Sequence, residues 1–292
     1  MKITAFTKHN PKFQKFKPVE EDSFKYAIRN NKFIAVVADG ITRDPIGIRI
    51  LPELIEEKIE AAKNYPMPSS AKEAADICCN SFLKYLDGTV SEESVRKAFI
   101  YANQDIFERL NSRREINYLD NDFAGCVASG GIIKNKILYY GFIADCGVCV
   151  FGSEGKLKFR TKNEGPNNKG SIDQDIKIKY NTSFRQPEGR KIIRRLYRNN
   201  PKESLAYGAL TGEKNAENYI ITGKINIKIG DYVIFYTDGM ESILYSNNFN
   251  TSERLKDLES YVERNINKIN GSEGSLISII LRFLSLLKYA VS

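Results

Sequence analysis

Histidine is almost absent from this chain: there is one in 292 residues, His9, set between Lys8 and Asn10. That scarcity makes a histidine-based zinc centre or a Ser-His-Asp relay hard to build, and position 9 reads as a surface residue. Cysteine is sparse too. Five residues, an odd number without the spacing of a small disulfide scaffold, point to reduced thiols and a cytoplasmic location. No early segment joins a basic stretch to an apolar one, so a secretory signal is not expected. Long apolar runs are missing as well; the longest, 276–291, is interrupted by Arg282 and Lys288 and is too short and too charged to span a bilayer. Internal repeats, low-complexity tracts and a convincing linker are all lacking, which leaves one unit over residues 1–292 as the expected organisation, monomeric and without a membrane partner.

What is present is ordinary in amount but uneven in place. Hydrophobic residues make up 42% and charged residues 27%, the balance of a globular protein able to bury a core. The net charge of +8 is concentrated: residues 156–202 hold 14 Lys/Arg against 4 Asp/Glu, a local +10 that leaves the remainder at −2. Such a segment reads either as a solvated lysine-rich insertion or as a surface that attracts anionic partners such as phosphorylated protein. Its aromatics, Phe159, Tyr180, Phe184 and Tyr197, show no regular interleaving with basic residues, so nucleic acid is not the expected partner.

Periodicity divides the chain into a helical stretch and a strand-rich one. After a polar turn, Ile46, Ile50, Leu54 and Ile55 recur at helical spacing. A second helix is expected from Ser70, with Glu73 completing a capping box, and a third from Ser91 through Val95, Phe99, Ala102, Ile106 and Leu110. From Gly125 to Phe159 short apolar runs alternate with turns at 134–136 and 152–155, a meander of strands. A short helix at 188–198, strands at 219–229 and 232–236, a helix from Thr251 and a final strand at 276–283 follow. Helices grouped among antiparallel-looking strands argue for an α+β architecture rather than a doubly wound sheet.

The chemistry-bearing residues stand at strand ends. Asp39-Gly40 closes the apolar run from Phe33 to Ala38, and Asp238-Gly239 closes the run from Tyr232 to Thr237. A carboxylate at a strand end, followed by a glycine that allows close approach, suits an oxygen-rich metal site, although Asp-Gly is also common turn chemistry. Asp145 and the pair Glu21-Asp22 stand similarly at strand boundaries. Carboxylates gathered together repel unless a hard cation is bound or their pKa values rise. An all-oxygen donor set points to Mg²⁺ or Mn²⁺. Cys146-Gly147-Val148-Cys149 has the spacing of a redox or zinc motif. It lies in an apolar strand, however, where positions three apart face opposite ways, and so reads as structural.

Five segments occur in an order that resembles the metal-dependent protein phosphatases of the PP2C (PPM) family, in a divergent bacterial-like form. They are Glu21-Asp22-Ser23-Phe24, Val36-Val37-Ala38-Asp39-Gly40, Gly125-Cys126-Val127-Ala128, Ala144-Asp145-Cys146-Gly147 and the stretch from Gly230 to Gly239. The resemblance runs from about residue 15 to 283 and implies a four-layer αββα sandwich, two antiparallel sheets with helices on both outer sides. It implies that Asp39 bridges two Mn²⁺ or Mg²⁺ ions and the Gly40 carbonyl ligates one, with Asp238 as a further ligand. Glu21 and Asp22 would hold metal-bound water, Asp145 would serve a weaker third ion, and Lys17 would take the place of a phosphate-binding arginine. The basic region at 160–205 would be the family's variable flap. The implied activity is Ser/Thr protein phosphatase, hydrolysing phosphomonoesters by in-line attack of a metal-bridging hydroxide. The alternative is a pseudophosphatase of the same fold that acts as a binding or regulatory module.

Three departures accompany the resemblance. Ile41 stands where the family has a histidine, Gly147 where it has an arginine, and the closing Asp-Asn/Asp motif is Ser272-Glu273-Gly274-Ser275. Glu273 is the carboxylate expected to fill the last ligand position from a loop before the final strand, with Ser272 as the other occupant of that position.

Overall fold

The computed structural model describes residues 1–281 apart from 14, 17–18, 87–88 and 247–251. Ten strands form two antiparallel sheets of five. The first sheet runs β2 (Ser23–Arg29), β3 (Lys32–Gly40), β4 (Cys126–Lys134), β5 (Ile137–Ile143) and β8 (Ile221–Asn226). The second runs β1 (Lys2–His9), β10 (Glu273–Ile280), β9 (Tyr232–Tyr236), β6 (Gly147–Phe151) and β7 (Leu157–Arg160). Continuously apolar strands such as β3 and β9 are buried along almost their whole length because both of their faces are covered.

Three apolar clusters show how the layers stack. Between the sheets lie Phe33, Ala35, Val37, Val148, Phe235 and Ile277. The odd-numbered residues of β3 point there, and the even-numbered Ile34, Val36 and Ala38 point outward, as a period of two requires. On that outer face pack α2 (Ser70–Tyr85) and α3 (Glu92–Ile106), through Ala74, Cys78, Phe82, Val95 and Phe99. Ahead of them in sequence lies α1 (Ile55–Ala62). Within the long connection from β7 to β8 lie α4 (Ile172–Tyr180) and α5 (Pro187–Ile192). The outer face of the second sheet is covered by α6 (Glu241–Leu244), α7 (Ser252–Lys256) and α8 (Leu258–Arg264), through Ile243, Leu244, Leu255, Leu258 and Val262. The architecture is therefore α+β with the order helix, sheet, sheet, helix.

Most expected elements are found, with four differences. The segment 41–54 is not helical: Pro45 and Pro52 lack the amide proton that a helix needs, Gly47 takes a positive φ of 78°, and Ile46, Ile50 and Leu54 are exposed. The second helix is capped by Ser69 rather than by Ser70 with Glu73, since Ser69 Oγ accepts from the Lys72 amide at 3.3 Å. Helix α4 had no periodicity strong enough to announce it. The last strand begins at Glu273, not 276, so Glu273 belongs to the strand rather than to a loop; positions 282 and 283 lie outside the described residues, as does Thr251. The Cys146/Cys149 expectation holds: Cys146 packs into the cluster under α2, while Cys149 packs under the helices of the opposite layer.

Candidate active site

Both sheets deliver carboxylates to one edge. Asp39 is the penultimate residue of β3, and Asp145 lies in the crossing from β5 to β6, where the chain passes between the sheets. Asp238 lies just past β9, after Thr237, and Glu273 opens β10, the neighbour of β9 in the sheet. Ala144 takes a φ of 61°, a conformation unfavourable for a side chain with a Cβ, and the crossing turns there to set Asp145 at the edge. A cavity of about 360 Å³ opens between these strand ends. Asp39, Gly40, Asp145, Asp238, Ser272 and Glu273 all line it.

The two glycines of the Asp-Gly pairs serve close approach rather than turn geometry. A Cβ on Gly40 would stand 2.6 Å from the Ala71 carbonyl oxygen, and one on Gly239 only 2.0 Å from that of Glu273. Gly239 thus lets the start of β10 press against the end of β9. That contact seats Glu273 beside Asp238.

Behind the cavity the acidic residues are held by hydroxyls. Glu21 is fully buried and accepts from Tyr65 Oη, from Ser69 Oγ at 2.6 Å and from Thr42 Oγ1 at 2.9 Å. Burial and the adjoining Glu21 carboxylate push the Tyr65 phenol up, so it stays a donor. The Glu21 amide donates to Glu273 Oε1 at 2.8 Å. Asp22, 1% exposed, accepts from Thr237 Oγ1 at 2.8 Å, and Thr237 Oγ1 accepts in turn from the Ser275 amide at 2.9 Å. The geometry therefore gathers Asp39, Asp145, Asp238 and Glu273 around the opening and sets Glu21 and Asp22 one layer behind. Lys17 lies outside the described residues.

Each carboxylate bears on the others. Burial, and then the Glu273 and Asp238 charges, push Asp22 up to about 7, against the hydroxyls that pull it down. Burial and the Asp238 charge likewise push Asp145 up to about 7. The thiol of Cys146, beneath the site, is driven up by burial and by Asp39, Asp145, Asp22 and Asp238 together. Four carboxylates acting on one buried sulfur define a region of strong negative potential. Among the described residues no three His, Cys, Asp or Glu side chains converge closely enough to grip an ion. Mutual repulsion opposes such convergence unless a cation sits between them. In donor chemistry the set fits a hard divalent cation: it is all oxygen, highly charged and open to solvent on one side.

His9 stands closer to the site than its sequence context suggested. It is the register partner of Glu273 in the β1–β10 ladder, with Nδ1 3.8 Å from Glu273 Oε2 and Nε2 3.6 Å from Glu20 Oε2. The apolar alternation of β1 was the signal that could have placed it. The hydroxyls of Tyr65, Ser69, Thr42 and Thr237 carried no such signal, because their partners lie between 21 and 215 residues away.

Solved structures share this arrangement of layers. The Mycobacterium tuberculosis serine/threonine phosphatase PstP/Ppp superposes with a TM-score of 0.60 at 15% identity, over 97% of this chain and 99% of that one. The fold is that of the PP2C-type serine/threonine phosphatases. A PstP catalytic domain in complex with two manganese ions matches this PP2C-type fold at a TM-score of 0.57 and 15% identity, over 96% of this chain and 98% of its own. An S. agalactiae serine/threonine phosphatase matches it at 0.56 and 10%, over 96% and 99%. No family model matches the chain, and no curated protein matches it in sequence. Among the described residues of this PP2C-type fold, no helix is long and apolar enough to cross a membrane.

Proposed function

We propose that the protein is a metal-dependent phosphomonoesterase acting on phosphoserine or phosphothreonine in proteins. The observation that carries this reading is the meeting of Asp39, Asp145, Asp238 and Glu273, from the ends of strands in two sheets and the crossing between them, around one cavity, in a fold whose solved examples include Ser/Thr phosphatases. Asp39 and Asp238, each at the end of a rigid buried strand, would hold two Mn²⁺ or Mg²⁺ ions together with the Gly40 carbonyl. The PstP structure with two manganese ions supports that number. Asp145 would serve a weaker third. Bound there, the ions would supply Lewis acidity to a water and offset charge on the phosphoryl oxygens.

The chain's own residues do the rest. Glu21 and Asp22, fixed by Tyr65, Ser69, Thr42 and Thr237, would accept hydrogen bonds from water at the back of the cavity. Lys17, by its spacing from Glu21, is assigned to the substrate phosphate; it supplies charge without the fork of an arginine. The test is turnover of an aryl phosphate with added Mn²⁺ and after chelation. Asp39→Asn and Asp238→Asn keep side-chain size and remove ligand charge, so each is expected to lower kcat/KM by at least about 10²-fold. Undiminished turnover in excess chelator would overturn the assignment.

A further inference from the structure

A second and larger cavity, of about 580 Å³, adjoins the first through a single peptide link: Thr42 lines the acidic cavity and Arg43 lines this one. Its character is opposite. Arg43, Arg49, Arg114 and Arg190 line it, against Asp44 and Asp120. The volume is within the range of small-ligand sites.

The arginines divide into a fixed inner set and a presented outer pair. Arg190, 5% exposed, donates to Asp44 Oδ2 at 2.9 Å and to the carbonyls of Arg185 and Arg49 at 2.7 and 2.8 Å. Arg43 donates to the Asp122 carbonyl at 2.6 Å. Asp44 is further paired with Arg194 at 2.9 Å, and Asp122 with Arg194 at 3.3 Å and Arg198 at 2.8 Å. Of the two carboxylates that line the cavity, Asp44 is thus already shared between Arg190 and Arg194, while Asp120 is exposed on the wall, which leaves four arginines against two acids. Among the described residues Arg49 and Arg114, both exposed on the cavity wall, form no ion pair. Burial pushes Arg43 below its ordinary value, with smaller contributions in the same direction from Arg194 and Arg114 and opposing ones from Asp122 and Asp44. Arg190 holds the backbone of Arg49 in place, so the cavity is shaped before any ligand arrives.

We infer that this arginine-lined cavity binds a second phosphate group on the same phosphoprotein segment whose first phosphate enters the acidic cavity. The inference deepens the phosphatase reading and rests on it for the identity of that first group. Guanidinium forks match a phosphate in two-bond geometry, and a phosphate dianion carries more charge to offset than a lone carboxylate. Asp39 and Arg43 are four residues apart, at most about 14 Å of chain, so the two cavities lie within reach of a short peptide. The preferred substrate is then a doubly phosphorylated segment with its phosphates about two to four residues apart.

The test compares two synthetic peptides of one sequence, carrying one phosphoserine or two about three residues apart. Initial rates give kcat/KM for each, and fluorescence anisotropy gives binding of the labelled peptides. The wild-type chain is expected to favour the doubly phosphorylated peptide by about tenfold or more, the size of one charge-assisted contact. Arg49→Ala with Arg114→Ala should bring that ratio close to one, and Arg114→Lys should restore part of it. Equal kcat/KM and equal binding of the two peptides by the wild type, or a ratio unmoved in the double variant, would overturn the inference while leaving aryl phosphate turnover to stand for the phosphatase reading. Selective binding of the doubly phosphorylated peptide without turnover of any phosphoester would sustain the cavity's role and sink the phosphatase reading. Saturation of the cavity by inorganic phosphate, with no discrimination between the peptides, would also overturn it.

Discussion

Glu273 is seated in part by the backbone around it. Its Oε1 accepts the Glu21 amide at 2.8 Å, and Gly239 presses on its carbonyl. Glutamine keeps an acceptor for that amide and loses the charge. Glu273→Gln is therefore expected to leave the thermal midpoint of the metal-free protein within a few degrees and to raise the Mn²⁺ concentration for half-maximal turnover severalfold. An unchanged metal titration, with Ser272→Asp sharply improving it, would move the ligand to position 272. Asp122 shows the opposite case, a carboxylate fully matched by cations. Burial alone would raise it, but the Arg198 bonds at 2.8 and 3.0 Å and the charges of Arg198, Arg194 and Arg43 hold it below its ordinary value. A depressed folded-state pKa means stability that is present above the unfolded value, near 4, and lost as pH falls through the folded one. Asp122→Asn should cost about 3 kcal/mol near neutral pH, and in denaturant titrations the gap to wild type should close as pH falls below the unfolded value and through the depressed folded one. The strand-end aspartates were readable because each follows an uninterrupted apolar run. The hydroxyls around Glu21 were not, because nothing local marks Tyr65 or Ser69 as partners of a residue more than 40 positions away.

At the scale of elements, packing decided where spacing misled. Ile46, Ile50 and Leu54 recur as on a helix face, yet no layer covers them, and Pro45, Gly47 and Pro52 divide the stretch into turns. By contrast α3 was legible from its start: Ser91 accepts from the Ser94 amide, Ser94 answers to the Ser91 amide, and Glu92 and Glu93 sit in the positive first turn. The meander β4 to β7 was legible as strands. Its division between two sheets was not, since the switch rests on one left-handed residue, Ala144. The junction of β9 with β10 is the least forgiving contact near the site. Gly239→Ala places a methyl against the Glu273 carbonyl and forces the strands apart. A loss of about 1–3 kcal/mol in chemical unfolding is expected, the usual range for overpacking, together with a weaker metal response. A fully stable variant with unaltered metal dependence would show that the close approach is dispensable.

Across the whole molecule, the acidic cavity takes Asp39 from one sheet, Glu273 and the nearby Asp238 from the other, and Asp145 from the crossing between them. The sheets are otherwise joined by side-chain packing, and among the described residues no strand ladder runs from one into the other. An ion seated among those four residues would act as a rivet through two stacked plates, resisting their sliding apart. Because both plates must already be in place to form its seat, the rivet would enter after the folding barrier and act mainly on escape from the native state. Millimolar Mn²⁺ should therefore lengthen the unfolding half-life in denaturant by tenfold or more while leaving the refolding rate nearly unchanged, and Asp238→Asn should abolish the difference. A cation that sped refolding instead would mean that the seat forms early, with the two plates clamped before their apolar faces have closed.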